Sequence, residues 1–120
     1  MAKGGYLTTH VLDTARGLPA QGIKIALFRL NGDNREKIAE AVTNDDGRTD
    51  SPILPIEQFE TGLYELVFFT GPYLENHGQA SGENKFLDQI PLRFGVDDGT
   101  SHYHVPLLLS PYGYSTYRGS

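Results

Sequence analysis

The chain has no cysteine among its 120 residues, which excludes a disulfide framework and any chemistry that runs through a thiolate. It also has no basic cluster. Lys and Arg number 10 against 15 Asp and Glu, for a formal charge of -5, whereas a nucleic-acid binder gathers its cations on one face. Long apolar runs are missing too. No segment approaches the roughly 20 apolar residues of a membrane span, and Met1-Ala2-Lys3-Gly4-Gly5 leads directly into Tyr6-Leu7-Thr8-Thr9 without the apolar stretch of a secretion signal. The last three residues, Arg118-Gly119-Ser120, are not a peroxisomal address. A soluble, cytoplasmic protein is expected, or a periplasmic one if a signal peptide has been removed, with neither nucleic acid nor membrane as partner. Without repeat, linker or low-complexity segment, residues 1–120 are expected to form one domain.

What the sequence does contain is short β-like runs separated by turns. Glycine and proline occupy 14 and 7 positions, scattered without a period, the composition of a turn-rich chain. Strands are predicted over residues 6–13, 22–30, 62–70, 89–96 and 102–109, with a further run over 48–54. Residues 37–43 read as a strand or a helical turn, because Ala and Glu are weak β formers. The run 62–70 is apolar almost without a break, so both of its faces are expected to be covered. Residues 71–87 are the least strand-like, and Pro72 there is suited to the first turn of one short helix reaching about Glu75-Asn76. The tail from Tyr112 to Ser120 is again rich in β-favouring Tyr and Thr. About seven or eight short strands with almost no helix predict an all-β, antiparallel β-sandwich.

Alternation assigns faces. In the segment His102-Tyr103-His104-Val105-Pro106-Leu107-Leu108-Leu109, the residues Tyr103, Val105, Leu107 and Leu109 share the core side. His102, His104, Pro106 and Leu108 share the other. In the first strand Leu7 and Val11 face the core, which leaves Tyr6, Thr8, His10 and Leu12 opposite. Histidine is the side chain whose ordinary pKa permits proton transfer near neutral pH, although a solvated surface histidine is the plainer reading of each. His102 and His104 at i and i+2 also suit a transition metal, but no acidic partner stands at supporting spacing, and no metal is expected. Arg48, after the Asp46-Gly47 turn, is either solvated or a guanidinium fork for a carbonyl, enolate or carboxylate.

Three segments together carry a resemblance: Leu7-Thr8-Thr9-His10-Val11-Leu12-Asp13 with Gly17-Leu18-Pro19-Ala20; Asp46-Gly47-Arg48; and the run from His104-Val105-Pro106-Leu107-Leu108-Leu109-Ser110-Pro111 to Tyr117-Arg118-Gly119-Ser120. In these the chain resembles the transthyretin-like family, in its 5-hydroxyisourate hydrolase branch, over essentially its whole length. The terminal Tyr-Arg-Gly-Ser is highly specific to that branch. The resemblance implies a sandwich of two four-stranded sheets with one short helix, assembled as a homotetramer, a dimer of dimers with active sites in the channel between them. It places His10, Arg48 and His104 at catalytic positions. Substrate contacts fall to His10, Arg48 and the tetrapeptide Tyr117, Arg118, Gly119 and Ser120, and not to His102.

The implied small-molecule substrate is 5-hydroxyisourate, a planar product of urate oxidation. The implied reaction hydrolyses an amide bond of its six-membered ring, giving 2-oxo-4-hydroxy-4-carboxy-5-ureidoimidazoline without cofactor or metal. Such a step needs an activated water, a stabilised oxyanion and a proton for the leaving nitrogen. His10 and His104 suit the protons and Arg48 the carbonyl, with Tyr117 against the ring and the Ser120 carboxylate orienting a histidine or arginine. Which histidine is the base stays open. Transthyretin itself carries hormone on the same fold; the His10, Arg48, His104 and terminal tetrapeptide set separates the hydrolases from that carrier.

Overall fold

The computed structural model describes residues 4–119. Its strands are β1 (Tyr6–Asp13), β2 (Leu18–Pro19), β3 (Lys24–Asn31), β4 (Asn34–Val42), β5 (Gly62–Phe69), β6 (Gln89–Val96), β7 (His102–Ser110) and β8 (Gly113–Thr116). One α-helix, α1 (Thr70–Asn76), follows β5, and a single 3-10 turn occupies Ile56–Gln58. Two four-stranded sheets result, in the orders β2-β1-β7-β8 and β4-β3-β5-β6. The sandwich of two four-stranded sheets with one short helix is therefore the observed architecture. No helix among the described residues is long and apolar enough to cross a membrane.

Every ladder is antiparallel except one. β1 runs parallel to β7, with Tyr6 opposite His102 and Thr8 opposite His104. The two strands lie near opposite ends of the chain, so the whole second sheet forms the crossover that a parallel pair requires. Alternation of side chains does not depend on strand direction, and the sequence pattern is blind to this departure from an all-antiparallel sandwich.

Side-chain alternation holds along both strands except at Pro106, which alternation assigns to the outer face but which is buried. Leu7, Thr9, Val11 and Asp13 of β1 are buried while Tyr6, Thr8, His10 and Leu12 are half-buried. Tyr103, Val105, Leu107 and Leu109 of β7 enter the core, where they meet Ile25 and Leu27 of β3, Tyr64, Leu66 and Phe68 of β5, and Ile90 and Leu92 of β6. The expected coverage of both faces of β5 holds from Tyr64 to Phe68. On its outer side Glu65 is covered by Arg35 at 2.8 Å and Arg93 at 3.6 Å. Residues 37–43, left between strand and helical turn by propensity, fall mostly in β4, because pairing with β3 outweighs the weak preference of Ala and Glu. The run 48–54 makes no strand. It touches β1 through isolated bridges, Arg48 to His10 and Leu54 to Leu7.

Helix α1 begins two residues before Pro72, which sits in its first turn. It is tied to β1 through one buried carboxylate. Asp13 Oδ2 accepts hydrogen bonds from the Tyr73 hydroxyl at 2.6 Å and from Gln79 Nε2 at 2.7 Å, and Asp13 Oδ1 accepts from the Arg16 backbone N–H at 3.0 Å. Burial pushes the Asp13 pKa up, but those hydrogen bonds and the nearby Arg16 outweigh it and hold the pKa below the ordinary carboxylate value. Asp13→Ala is expected to lower the unfolding free energy by about 2 kcal/mol, the usual cost of leaving buried donors unpaired, as measured by urea denaturation.

Candidate active site

The parallel register sets histidines of two strands side by side on the outer face of the first sheet. The rings of His10 and His104 are 6.3 Å apart between centroids, and those of His102 and His104 are 6.1 Å apart. Arg48 joins them from the loop after β4. Asn44 shapes that loop: its Oδ1 accepts from the backbone N–H groups of Asp46 and Arg48, and its own N–H donates to the Arg48 carbonyl at 2.7 Å. Gly47 has φ +75, and a Cβ there would run into the Val11 carbonyl oxygen. Only glycine lets the turn lie flat on β1. The Val11 N–H then donates to the Gly47 carbonyl at 2.8 Å, which places Arg48 opposite His10.

The C-terminal tail closes the third side. The Gly119 N–H donates to the His104 carbonyl at 2.7 Å. A Cβ on Gly119 would stand 2.7 Å from His104 Cδ2, closer than real contacts allow. The backbone reaches the imidazole edge because the side chain is missing.

A cleft of about 500 Å³ results, lined among others by Thr8, Arg48, Asp50, His104, Tyr117 and Gly119. Of the sequence-predicted residues, Arg48, His104, Tyr117 and Gly119 line it; His10 is not among its lining side chains but stands opposite Arg48 in an isolated bridge, its ring 6.3 Å from that of His104. Arg118 stands apart. Its guanidinium lies 3.9 Å over the Tyr103 ring, in a separate groove of about 310 Å³ between β6 and the tail. Ser120 lies outside the described residues. His102 does border the cleft, stacked on Tyr6 with ring centroids 4.1 Å apart and planes within 9°. Sequence reasoning passed over Thr8, although the same alternation that found His10 puts it on this face. Asp50 and Asn44 carried no signal, since polar loop residues are ordinary.

Hydrogen bonding fixes proton positions. A carbonyl oxygen only accepts, so the 2.9 Å contact between His10 Nε2 and the Asp46 carbonyl puts the proton on Nε2. Nδ1 of His10 is left with its lone pair. His104 Nδ1 is taken by the Thr8 hydroxyl at 2.8 Å, which leaves Nε2 as its atom for other partners. Burial is the main cause that pushes the His10 pKa below the ordinary imidazole value, and Arg48 adds to it against the smaller opposing pull of Asp46. For His104 burial again leads, followed by the charges of Arg48, His10 and His102. Both rings are therefore neutral, and able to accept protons, near neutral pH. Arg48 forms no ion pair among the described residues, so its guanidinium is available to an anionic or carbonyl oxygen. No group of three or more His, Cys, Asp or Glu among the described residues is placed to hold a metal ion.

Two four-stranded sheets in this order, with histidines and Arg48 gathered on an outer face, define a transthyretin-type sandwich. The HIUase/Transthyretin family model matches residues 7–119, and the chain belongs to that family. It is 59% identical over 120 residues to 5-hydroxyisourate hydrolase 2 of Rhizobium meliloti (strain 1021), an alignment that covers 100% of each chain. The solved Klebsiella pneumoniae 5-hydroxyisourate hydrolase superposes with a TM-score of 0.77 at 34% identity, covering 96% of this chain and 99% of that one. Sea bream transthyretin in complex with thyroxine superposes at 0.83 with 29% identity, over 94% and 93% of the two chains.

The charge of Arg48 is one cause that holds both imidazoles low, so its removal favours the imidazolium forms. NMR titration of Arg48→Gln is expected to show the pKa values of His10 and His104 moved upward from wild type. Unchanged titrations would mean that the guanidinium does not face the two rings.

Proposed function

We propose that the cleft opens the six-membered ring of 5-hydroxyisourate with water, using His10, His104 and Arg48 and requiring no metal. The chain is an enzyme of the 5-hydroxyisourate hydrolase type, as its full-length relatives at high identity are named. The residue roles are our reading. The observation that carries it is geometric: Arg48 stands opposite His10 and shares the cleft with His104, whose ring is 6.3 Å from that of His10.

Water attacks the carbonyl carbon of the ring amide while one imidazole nitrogen takes its proton. His10 Nδ1 and His104 Nε2 are the nitrogens left for this work by the hydrogen bonds each ring already makes. The carbonyl oxygen becomes an oxyanion, and Arg48 supplies a fixed positive charge to meet it. When the carbon–nitrogen bond breaks, the histidine that gained a proton, or its neighbour, returns one to the leaving nitrogen. Tyr117 borders the cleft where it can lie against the planar substrate. Gly119 brings the tail backbone to His104; Ser120 remains a proposed substrate contact, whereas Arg118 would have to leave the Tyr103 ring to reach the cleft.

We further propose a homotetramer, a dimer of dimers. The histidine face also carries half-buried Leu12 and Leu108, apolar side chains that a second copy of the chain would cover. Sedimentation should give a species near four times 13.2 kDa; a fully active monomer would sink the assembly.

The central test is a spectrophotometric assay on freshly generated 5-hydroxyisourate, with spontaneous decay as the reference. His104→Ala is expected to lower kcat by about a hundredfold, the usual contribution of a positioned acid or base, with circular dichroism unchanged. A wild-type rate no faster than spontaneous decay would reject the reading. Activity should survive thorough chelation; loss with EDTA and recovery with zinc would contradict the metal-free mechanism. Deleting residues 117–120 should abolish turnover while the fold remains, because the strand pairing of β8 ends at Thr116.

A further inference from the structure

One hydroxyl stands between the two histidines of β7. Thr8 Oγ1 is 2.6 Å from His102 Nε2 and 2.8 Å from His104 Nδ1. The arrangement follows from register: Thr8 pairs with His104, and His102, two residues earlier, projects from the same face. The His102 ring is held by stacking on Tyr6, its own partner in the ladder. No other hydrogen-bond partner of the Thr8 hydroxyl occurs among the described residues.

We infer that Thr8 and His102 are positioning residues that act through His104, the shared hydroxyl coupling the tautomer of His104 to that of His102. A threonine hydroxyl has one hydrogen to give and lone pairs to receive. If it donates to His104 Nδ1, it accepts from His102 Nε2–H, and both neutral rings are protonated at Nε2. If it donates to His102 Nε2, it accepts from His104 Nδ1–H, and both rings are protonated at Nδ1. In either case the two tautomers match. The alternative, in which both rings donate to Thr8, leaves a half-buried hydroxyl hydrogen without an acceptor, a costly arrangement.

The coupling decides what His104 Nε2 offers the cleft. With both rings protonated at Nε2, His104 presents a proton to a leaving nitrogen. With both protonated at Nδ1, it presents a lone pair to water. A histidine whose orienting partner is usually a carboxylate is here oriented by a neutral hydroxyl, and that partner is itself set by a second imidazole. Removing the hydroxyl frees the His104 ring and both tautomers, while valine keeps the bulk that Thr8 presents to the cleft. The kinetic consequence rests on the hydrolytic role proposed above, whereas the tautomer match does not.

The test uses the full chain with 15N-labelled histidine at about pH 8, where unpaired imidazoles are neutral. Long-range 15N–1H spectra of wild type are expected to show His102 and His104 protonated at the same ring position, with the match lost in Thr8→Val. One ring protonated at Nδ1 and the other at Nε2 in wild type would overturn the coupling, whether or not the protein hydrolyses anything. In the 5-hydroxyisourate assay, Thr8→Val is expected to lower kcat about tenfold with KM within about twofold, the scale of one lost orienting hydrogen bond. His102→Phe keeps a ring to stack on Tyr6 and is expected to fall similarly, while Thr8→Ser restores the hydroxyl and the rate. Wild-type kcat in Thr8→Val, or equal losses in Thr8→Val and Thr8→Ser, would overturn the positioning role.

Discussion

Eight residues of β1 pair in parallel with eight of β7, and the histidines of the cleft stand where that register puts them. The pairing joins the first strand to the seventh, with every strand of the second sheet lying between them in sequence. A slip of one residue would exchange faces along the strand. His10 would turn toward the core and Val11 toward water, against the burial that Leu7, Val11, Tyr103 and Leu107 obtain in register. The packing of the core is thus what positions the chemistry on the opposite face. Asp13 reinforces it at the end of β1, where its buried carboxylate collects donors from helix α1, from Gln79 just beyond it and from the turn after β1.

The electrostatics of the cleft suit neutral imidazoles beside a fixed cation. A chain with a formal charge of -5 leaves Arg48 without an ion pair among the described residues, and none of their carboxylates hydrogen-bonds to the ring of His10 or His104. An adjacent carboxylate would raise an imidazole pKa and quench the guanidinium. A backbone carbonyl and a threonine hydroxyl do the orienting instead. Burial and Arg48 then push both pKa values down. The arrangement keeps a base available without giving up the positive charge that a developing oxyanion needs.

Much of this was legible in the sequence, for a physical reason. Period-two alternation in the segments 6–13 and 102–109 reports which side of a sheet is dry, and it put His10 and His104 on the wet side of both strands. It carries no information on strand direction, so the parallel ladder was invisible. Nor does it separate residues that share a face, which is why His102 and His104 could be told apart only by resemblance. The tail shows the same limit from the other side. Tyr117 and Arg118 are adjacent and were grouped together, yet Tyr117 borders the cleft while the Arg118 guanidinium lies over Tyr103. The run 48–54 reads as one more short β-like run between turns; its Ile53 and Leu54 are indeed buried, but isolated bridges to β1 replace a ladder there. Thr8 was missed because a threonine on a strand is unremarkable until two imidazoles are found on its hydroxyl.

The proposed chemistry depends on a single place, the cleft where β1, β7, the loop after β4 and the C-terminal tail meet. Its most direct test is a crystal structure of the full chain soaked with a stable planar analogue of 5-hydroxyisourate that water cannot open. The expected result is the analogue between His10, Arg48 and His104, with a ring oxygen on the guanidinium. An analogue seated only in the apolar groove beside Arg118 and Tyr103, with the histidine cleft left to solvent, would contradict it.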